Sequence, residues 1–90
     1  MADLVKLLKA LSSEPRLKIF RLLKERPLCV NAITAKLEMT QSAVSQHLRV
    51  LKEAGLVSAQ KRGYWAHYSV NPDAVKKCGM SVRKLFEVAE

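Results

Sequence analysis

The sequence predicts a mainly helical fold with one small β-hairpin, in the order α-α-α-α-β-β-α. Three observations support this prediction. Apolar residues recur at helical spacing over most of the 90-residue chain. From residue 57 to residue 70 the apolar period changes from 3.6 to 2. Asn71-Pro72-Asp73 then supplies a cap, a proline and an acid, which is the pattern of a helix start.

Leucine spacing and a serine-proline boundary predict the first two helices. Leucines at positions 4, 7, 8 and 11 place the first helix over residues 3–11. Ser13 can cap a second helix. Pro15 fits the first turn of that helix because the N–H that proline lacks would have no hydrogen-bond partner within the helix there. Pro27 ends this helix near Arg26. The basic side chains along it are interpreted as a solvated face, of which one or two members could contact phosphate.

A short third helix and a longer fourth helix are predicted on either side of a three-residue turn. The third covers residues 30–38, and the turn is Glu38-Met39-Thr40. The fourth lies within the stretch from Thr40, a good N-cap, to Leu56, and Gly55 stands where a left-handed residue ends a helix. Two short helices joined this tightly, the second polar and poor in acids, have the layout of a helix-turn-helix.

The fourth helix has an apolar stripe and a polar face opposite to it. Val44, Leu48 and Leu51 form the stripe at i, i+4 and i+7. The polar face offers amides, hydroxyls and a cation, which pair with base edges and phosphates. The expected base-reading side chains are Gln41, Ser42, Ser45 and Gln46. The expected contacts to the DNA backbone come from Thr40, His47, Arg49, Lys61, Arg62 and Tyr64. For His47, a hydrogen bond within the domain is the preferred alternative.

Residues 57–70 are predicted to form a hairpin with a basic tip, Lys61-Arg62-Gly63. Arg62-Gly63 is a candidate two-residue turn in which Gly63 supplies a positive φ. A longer loop is equally compatible, because Arg62 is not the favoured Asn or Asp. The second strand of the hairpin is expected to run from Tyr64 to Val70.

Charge and composition narrow the classes of function. Sixteen Lys and Arg against eight Asp and Glu give a net charge of +8, which suits a polyanion. Nucleic acid is the expected partner, and an acidic membrane surface is the weaker alternative.

No stretch approaches the roughly 20 apolar residues of a membrane span, and the N-terminus lacks the layout of a signal peptide, so a cytoplasmic protein is expected. We expect neither an enzyme nor a cofactor, because no catalytic set or Gly-rich phosphate loop is present.

A helix-turn-helix followed by a basic hairpin is a winged helix, and three segments resemble ArsR-type regulators of bacteria and archaea. Ala10–Ile19 resembles their opening motif, Ser42–Val57 their recognition helix and the next strand, and Arg62–Tyr68 their wing. The resemblance covers roughly residues 4–75. It implies a homodimeric repressor on an imperfectly palindromic operator. The recognition helix (about 41–54) would lie in the major groove and the wing (about 57–70) on the backbone or minor groove.

The resemblance also implies pairing through the first and last helices. Each of these helices carries more apolar surface than so small a monomer buries, which supports the same prediction. Residues 1–90 are therefore expected to form one domain, with residues 1–11 and 72–90 in a dimer interface. The expected interface side chains are Leu4, Leu7, Leu8, Leu11, Val82, Leu85, Phe86 and Ala89.

The family often implies release from DNA by a metal ion, but this sequence departs from both known metal sites. Leu28–Ile33 resembles the family's metal box, yet Asn31 replaces its second cysteine and Ala32 its acid. Residues 74–90 contain no Asp or His, so no metal site is predicted. Cys29 is then either a redox-responsive thiol at the start of a helix or, as preferred, a small buried apolar side chain. Cys78 is expected to pack in the core or the dimer interface.

A second class of function stays open at this stage. Winged helices also serve as non-enzymatic adaptors or as general DNA-binding proteins of the chromatin type. A general DNA binder would show little preference for one palindrome over random DNA, whereas a regulator would discriminate between them.

Overall fold

The computed structural model describes residues 2–89 and contains five helices and three short strands. The elements are α1 (Ala2–Leu11), α2 (Glu14–Glu25), β1 (Leu28–Cys29), α3 (Val30–Leu37), α4 (Gln41–Glu53), β2 (Val57–Arg62), β3 (Trp65–Val70) and α5 (Pro72–Leu85). The predicted fold class is confirmed. Met1 and Glu90, the outer limits of the predicted domain and of its two dimerisation segments, lie outside the described residues.

Side-chain caps set the N-terminal ends of three helices. The hydroxyl of Ser13 accepts from the N–H of Arg16 (3.4 Å) at the start of α2. The Thr40 hydroxyl accepts from the N–H of Ala43 at 3.1 Å at the start of α4. The Asn71 amide oxygen caps α5 in the same way. The three predicted N-caps are confirmed, and each satisfies a backbone donor that the helix itself leaves free.

The helix-turn-helix is fixed by burial and by two left-handed residues. Val44, Leu48 and Leu51 are fully buried, at 0% exposure, so the predicted stripe of α4 faces the core. Gly55 has φ of +81° after α4, as predicted. Helix α3 ends at Leu37, one residue earlier than predicted, because Glu38 adopts a left-handed φ of 53° and turns the chain towards α4.

The sheet has three strands, one more than the sequence predicted. Strand β1 pairs antiparallel with β3, Leu28 opposite Tyr68 and Cys29 opposite His67, so the strand order is β1-β3-β2. This pairing attaches the hairpin to the segment between α2 and α3. Both strands of the wing are therefore connected to the helix-turn-helix. Strand β2 follows α4 along the chain, and β3 pairs with β1, which directly precedes α3.

The hairpin turn is Gly63-Tyr64, so the predicted Arg62-Gly63 turn is wrong by one residue. Arg62 pairs with Trp65, which places Arg62 in β2 and Tyr64 in the turn. Gly63 has φ of +64° and Tyr64 does not have a positive φ. Glycine at the first central position is the pattern of a type II′ turn, which matches the twist of the flanking strands.

The last helix covers only part of the segment 72–90 that was predicted for the dimer interface. It ends at Leu85, and Phe86 is its C-cap. Ala89, one of the predicted interface side chains, lies beyond this helix. No helix in the described part of the chain combines the length and the hydropathy needed to cross a bilayer.

Candidate nucleic-acid interface

The solvent-facing side of α4 presents the side chains that the sequence assigned to base reading. Gln41, Ser42, Ser45 and Gln46 are all exposed, opposite the buried stripe. The first turn of α4 contains no acidic residue. The free N–H groups and the positive end of the helix dipole therefore meet no competing carboxylate on that turn, which favours a polyanion there.

At the start of α4, two side chains already have partners. The Thr40 oxygen accepts from Ala43, which leaves the hydroxyl hydrogen to donate to a phosphate. The Nε2 amide of Gln41 donates to Oδ1 of Asn31 in α3 at 2.9 Å. Asn31 was not among the predicted site residues, since nothing in its local pattern points to a contact with α4.

Arg49 lies further along the same face and forms a surface ion pair. Its Nε donates to Oε1 of Glu53, one turn on, at 3.3 Å, with side-chain exposures of 80% and 65%. An exposed pair of this spacing contributes about 0.3–0.5 kcal/mol. Such a weak pair leaves the Arg49 guanidinium available to a phosphate.

His47 has a partner within the protomer. Its Nδ1 lies 3.4 Å from Nη1 of the half-buried Arg16, whose Nε also donates to the carbonyl of Ala10 at 2.6 Å. Arg16 thus joins the C-terminal end of α1 to the middle of α4. The sequence placed Arg16 in a solvated basic run, so this role was missed.

The wing is exposed and carries two cations. Lys61 and Arg62 lie at the exposed end of β2, and Tyr64 in the turn is 97% exposed. Trp65, which follows the turn, is 55% exposed. A flexible cation beside an exposed aromatic ring suits contact with a sugar-phosphate backbone.

The residues around Cys29 do not fit a metal ion. Cys29 lies half-buried at the N-cap position of α3, and its cross-strand neighbour is His67. One thiol and one imidazole supply two ligands, whereas a closed zinc site takes four. Within residues 2–89 no three His, Cys, Asp or Glu side chains come together as a ligand set. The redox-responsive interpretation of Cys29 stays a prediction, as does the buried one.

The residues predicted for the dimer interface fall into two groups according to their exposure. Leu4 is only 8% exposed, and Leu7, Leu11 and Val82 are half-buried, so they already pack within the protomer. The rest of the predicted set is exposed: Leu8, Leu85, Phe86 and Ala89. Val5 (48% exposed) and Met80 (61%) add apolar surface that the sequence prediction omitted. An open groove of about 640 Å³ runs between α1 and α5.

A helix-turn-helix whose second helix presents exposed amides, followed by a basic hairpin, defines the winged helix-turn-helix class of DNA-binding proteins. A family model described as bacterial regulatory protein, arsR family, matches residues 13–59, from the N-cap of α2 into β2. This chain belongs to the ArsR family. It is a DNA-binding transcriptional regulator, not an enzyme.

Similar proteins include both an activator and a repressor. The transcriptional activator HlyU of Vibrio cholerae is 40% identical over 75 residues, which cover 83% of this chain and 69% of HlyU. A HlyU structure aligns with a TM-score of 0.79 and 36% identity over 94% of this chain and 92% of that chain. The arsenical resistance operon repressor of Escherichia coli is 41% identical over 69 residues, 76% of this chain and 59% of the repressor.

A further solved structure is described as a homodimer. It is the winged helix-turn-helix DNA-binding domain of Mb0332 from Mycobacterium bovis, which aligns with a TM-score of 0.79 and 27% identity. The alignment covers 93% of this chain and 79% of that chain.

Proposed function

We propose that two copies of this chain form a homodimer that binds an imperfectly palindromic operator and represses transcription. The observation that carries this proposal is the face of α4, where four exposed amide and hydroxyl side chains surround an acid-free helix start. The +8 charge of each protomer supports binding to the phosphate backbone. The similarity to a homodimeric DNA-binding domain supports the assembly. Repression is proposed from the similarity to a named repressor, and the named activator HlyU is the alternative that the reporter assay below tests.

In this proposal each part of the protomer has one task. Helix α4 enters the major groove, where Gln41, Ser42, Ser45 and Gln46 read base edges. Thr40, His47 and Arg49 hold phosphates beside it, and Lys61, Arg62 and Tyr64 contact the backbone or the minor groove. Residues 1–90 act as one domain, paired through the exposed surfaces of α1 and α5. Because its partner is operator DNA and its family is described as bacterial, the protein would act in the cytoplasm.

Selection of bound duplexes from random DNA at fixed salt tests the proposal. A homodimer with two recognition helices should enrich two inverted half-sites about one helical turn, or 34–36 Å, apart. Equal recovery of all duplexes would instead indicate a general DNA binder. A promoter-reporter assay with the selected site then separates repression from the activation for which HlyU is named.

Gln46→Ala is expected to relax discrimination at one base pair. A glutamine amide pairs bidentately with adenine, and loss of such a pair costs about 1–3 kcal/mol of discrimination. The measurement compares affinity for the operator, for the operator with that pair exchanged, and for random DNA. Equal losses on operator and random duplexes would contradict a base-reading role for Gln46.

Arg62→Ala is expected to weaken binding to every sequence by a similar factor. Arg62 lies on the exposed wing, and each lost phosphate contact lowers the slope of log affinity against log salt by about one unit. The proposed homodimer loses one such contact per protomer, so its slope should fall by about two units. Affinities for operator and random DNA at four salt concentrations give this slope. Arg21→Ala, which removes an exposed cation from α2, is the matched control and should leave the slope near that of wild type.

A further inference from the structure

Asn31 is an exposed side chain of α3 that contacts the proposed reading face. It is the second residue of α3, and Gln41 is the first residue of α4. The 2.9 Å hydrogen bond between their amides crosses the turn of the helix-turn-helix. Among the four proposed base readers, Gln41 is the one whose side chain forms a hydrogen bond to a side chain of another helix within the described residues.

Gln41 is the donor in this hydrogen bond, and this decides which of its amide groups remain available to DNA. A glutamine amide has two N–H donors on Nε2 and an acceptor on Oε1. Adenine in the major groove takes Oε1 together with the N–H on the same edge of the amide. Asn31 can hold the other N–H without occupying that edge. A bond from that other N–H would fix the amide and leave both of its adenine-pairing groups free.

We propose that Asn31 is a specificity-determining residue that orients the Gln41 amide for adenine. This inference rests on the proposed function, in which Gln41 reads a base. The first helix of a helix-turn-helix crosses the DNA backbone, so the exposed Asn31 would also have its Nδ2 amide available to donate to a phosphate. Asn31 thereby links a backbone contact to the orientation of one base-reading side chain.

The test is a double-mutant cycle on the selected operator. Its readout is the ratio of affinities for the operator and for the operator with the Gln41-dependent base pair exchanged. Gln41→Ala identifies that base pair. Asn31→Ala should lower the ratio about three- to tenfold, as expected for one lost hydrogen bond. In the Gln41→Ala background, Asn31→Ala should lower the ratio no further.

Two further variants separate orientation from structural damage. Asn31→Asp keeps an acceptor oxygen for Nε2 of Gln41 but adds a negative charge near phosphate. It should preserve the base preference while weakening binding to all DNA. Lys36→Ala, a change at an exposed residue near the end of α3, is the control and should leave the preference unchanged.

The possible results distinguish this inference from the proposed function. If wild-type protein selects a site and Gln41→Ala relaxes one base pair, but Asn31→Ala leaves that preference intact, the inference is overturned alone. Independent effects of the two alanine variants, or a changed base preference in Asn31→Asp, would also overturn it. A wild-type protein that selects no sequence would overturn both.

Discussion

Leu8→Glu is expected to yield a monomer that binds the operator about a hundredfold more weakly than wild type. Leu8 lies on α1 with 39% exposure, so the protomer does not need its full burial. A charge buried between two copies would lack a partner and would oppose association. Once the protomers separate, each recognition helix binds its half-site alone, and the gain from simultaneous binding is lost.

Sedimentation at micromolar concentration and operator titration measure this effect together. Leu85→Glu, at a 49% exposed position of α5, should act in the same way because the proposed interface contains both helices. Lys24→Ala also lowers the protomer charge by one, at an exposed site on α2, and controls for weaker attraction to phosphate. A Leu8→Glu variant that remains dimeric with wild-type affinity would refute an interface on α1.

Leu48→Ala is expected to destabilise the fold by about 2–5 kcal/mol. Leu48 is fully buried near the middle of α4, where it belongs to the core cluster shared with Ile19 and Ile33. Truncation removes apolar contacts and leaves a cavity that closely packed neighbours fill only in part. The free energy of unfolding of a folded domain is about 5–15 kcal/mol, so this substitution would remove a large share of it.

Urea unfolding at one fixed protein concentration measures this loss. The denaturation midpoint should fall with an unchanged dependence on urea, which assigns the effect to stability. Val50→Ala on the same helix is the control; at 37% exposure it should cost within about 1 kcal/mol. A loss for Leu48→Ala as small as that of the control would mean that α4 does not pack through this side chain.

The features that local chemistry decides were predictable from the sequence. Ser13, Thr40 and Asn71 cap helices through bonds to residues three positions ahead, so each cap is visible in a short stretch. The buried stripe of α4 follows from helical spacing alone. The polar face opposite to it was predictable for the same reason.

The features that depend on distant residues were not predictable. Strand β1 has only two residues, too few for a period, and its partners in β3 lie far along the chain. Arg16 resembles its basic neighbours until the fold brings Ala10 and His47 to it. The turn was misplaced because a positive φ at Gly63 suits either central position of a two-residue loop.

The guanidinium of Arg16 has a consequence for the DNA sites that a dimer can accept. It links the end of α1 to α4 through Ala10 and His47, so a movement of the recognition helix relative to α1, one of the helices proposed to join the protomers, would break these contacts. Each base pair added to the spacer rotates one half-site by about 34–36° relative to the other. In the proposed dimer such a rotation would strain these two contacts of Arg16, and we therefore expect spacer length to contribute to recognition together with the bases.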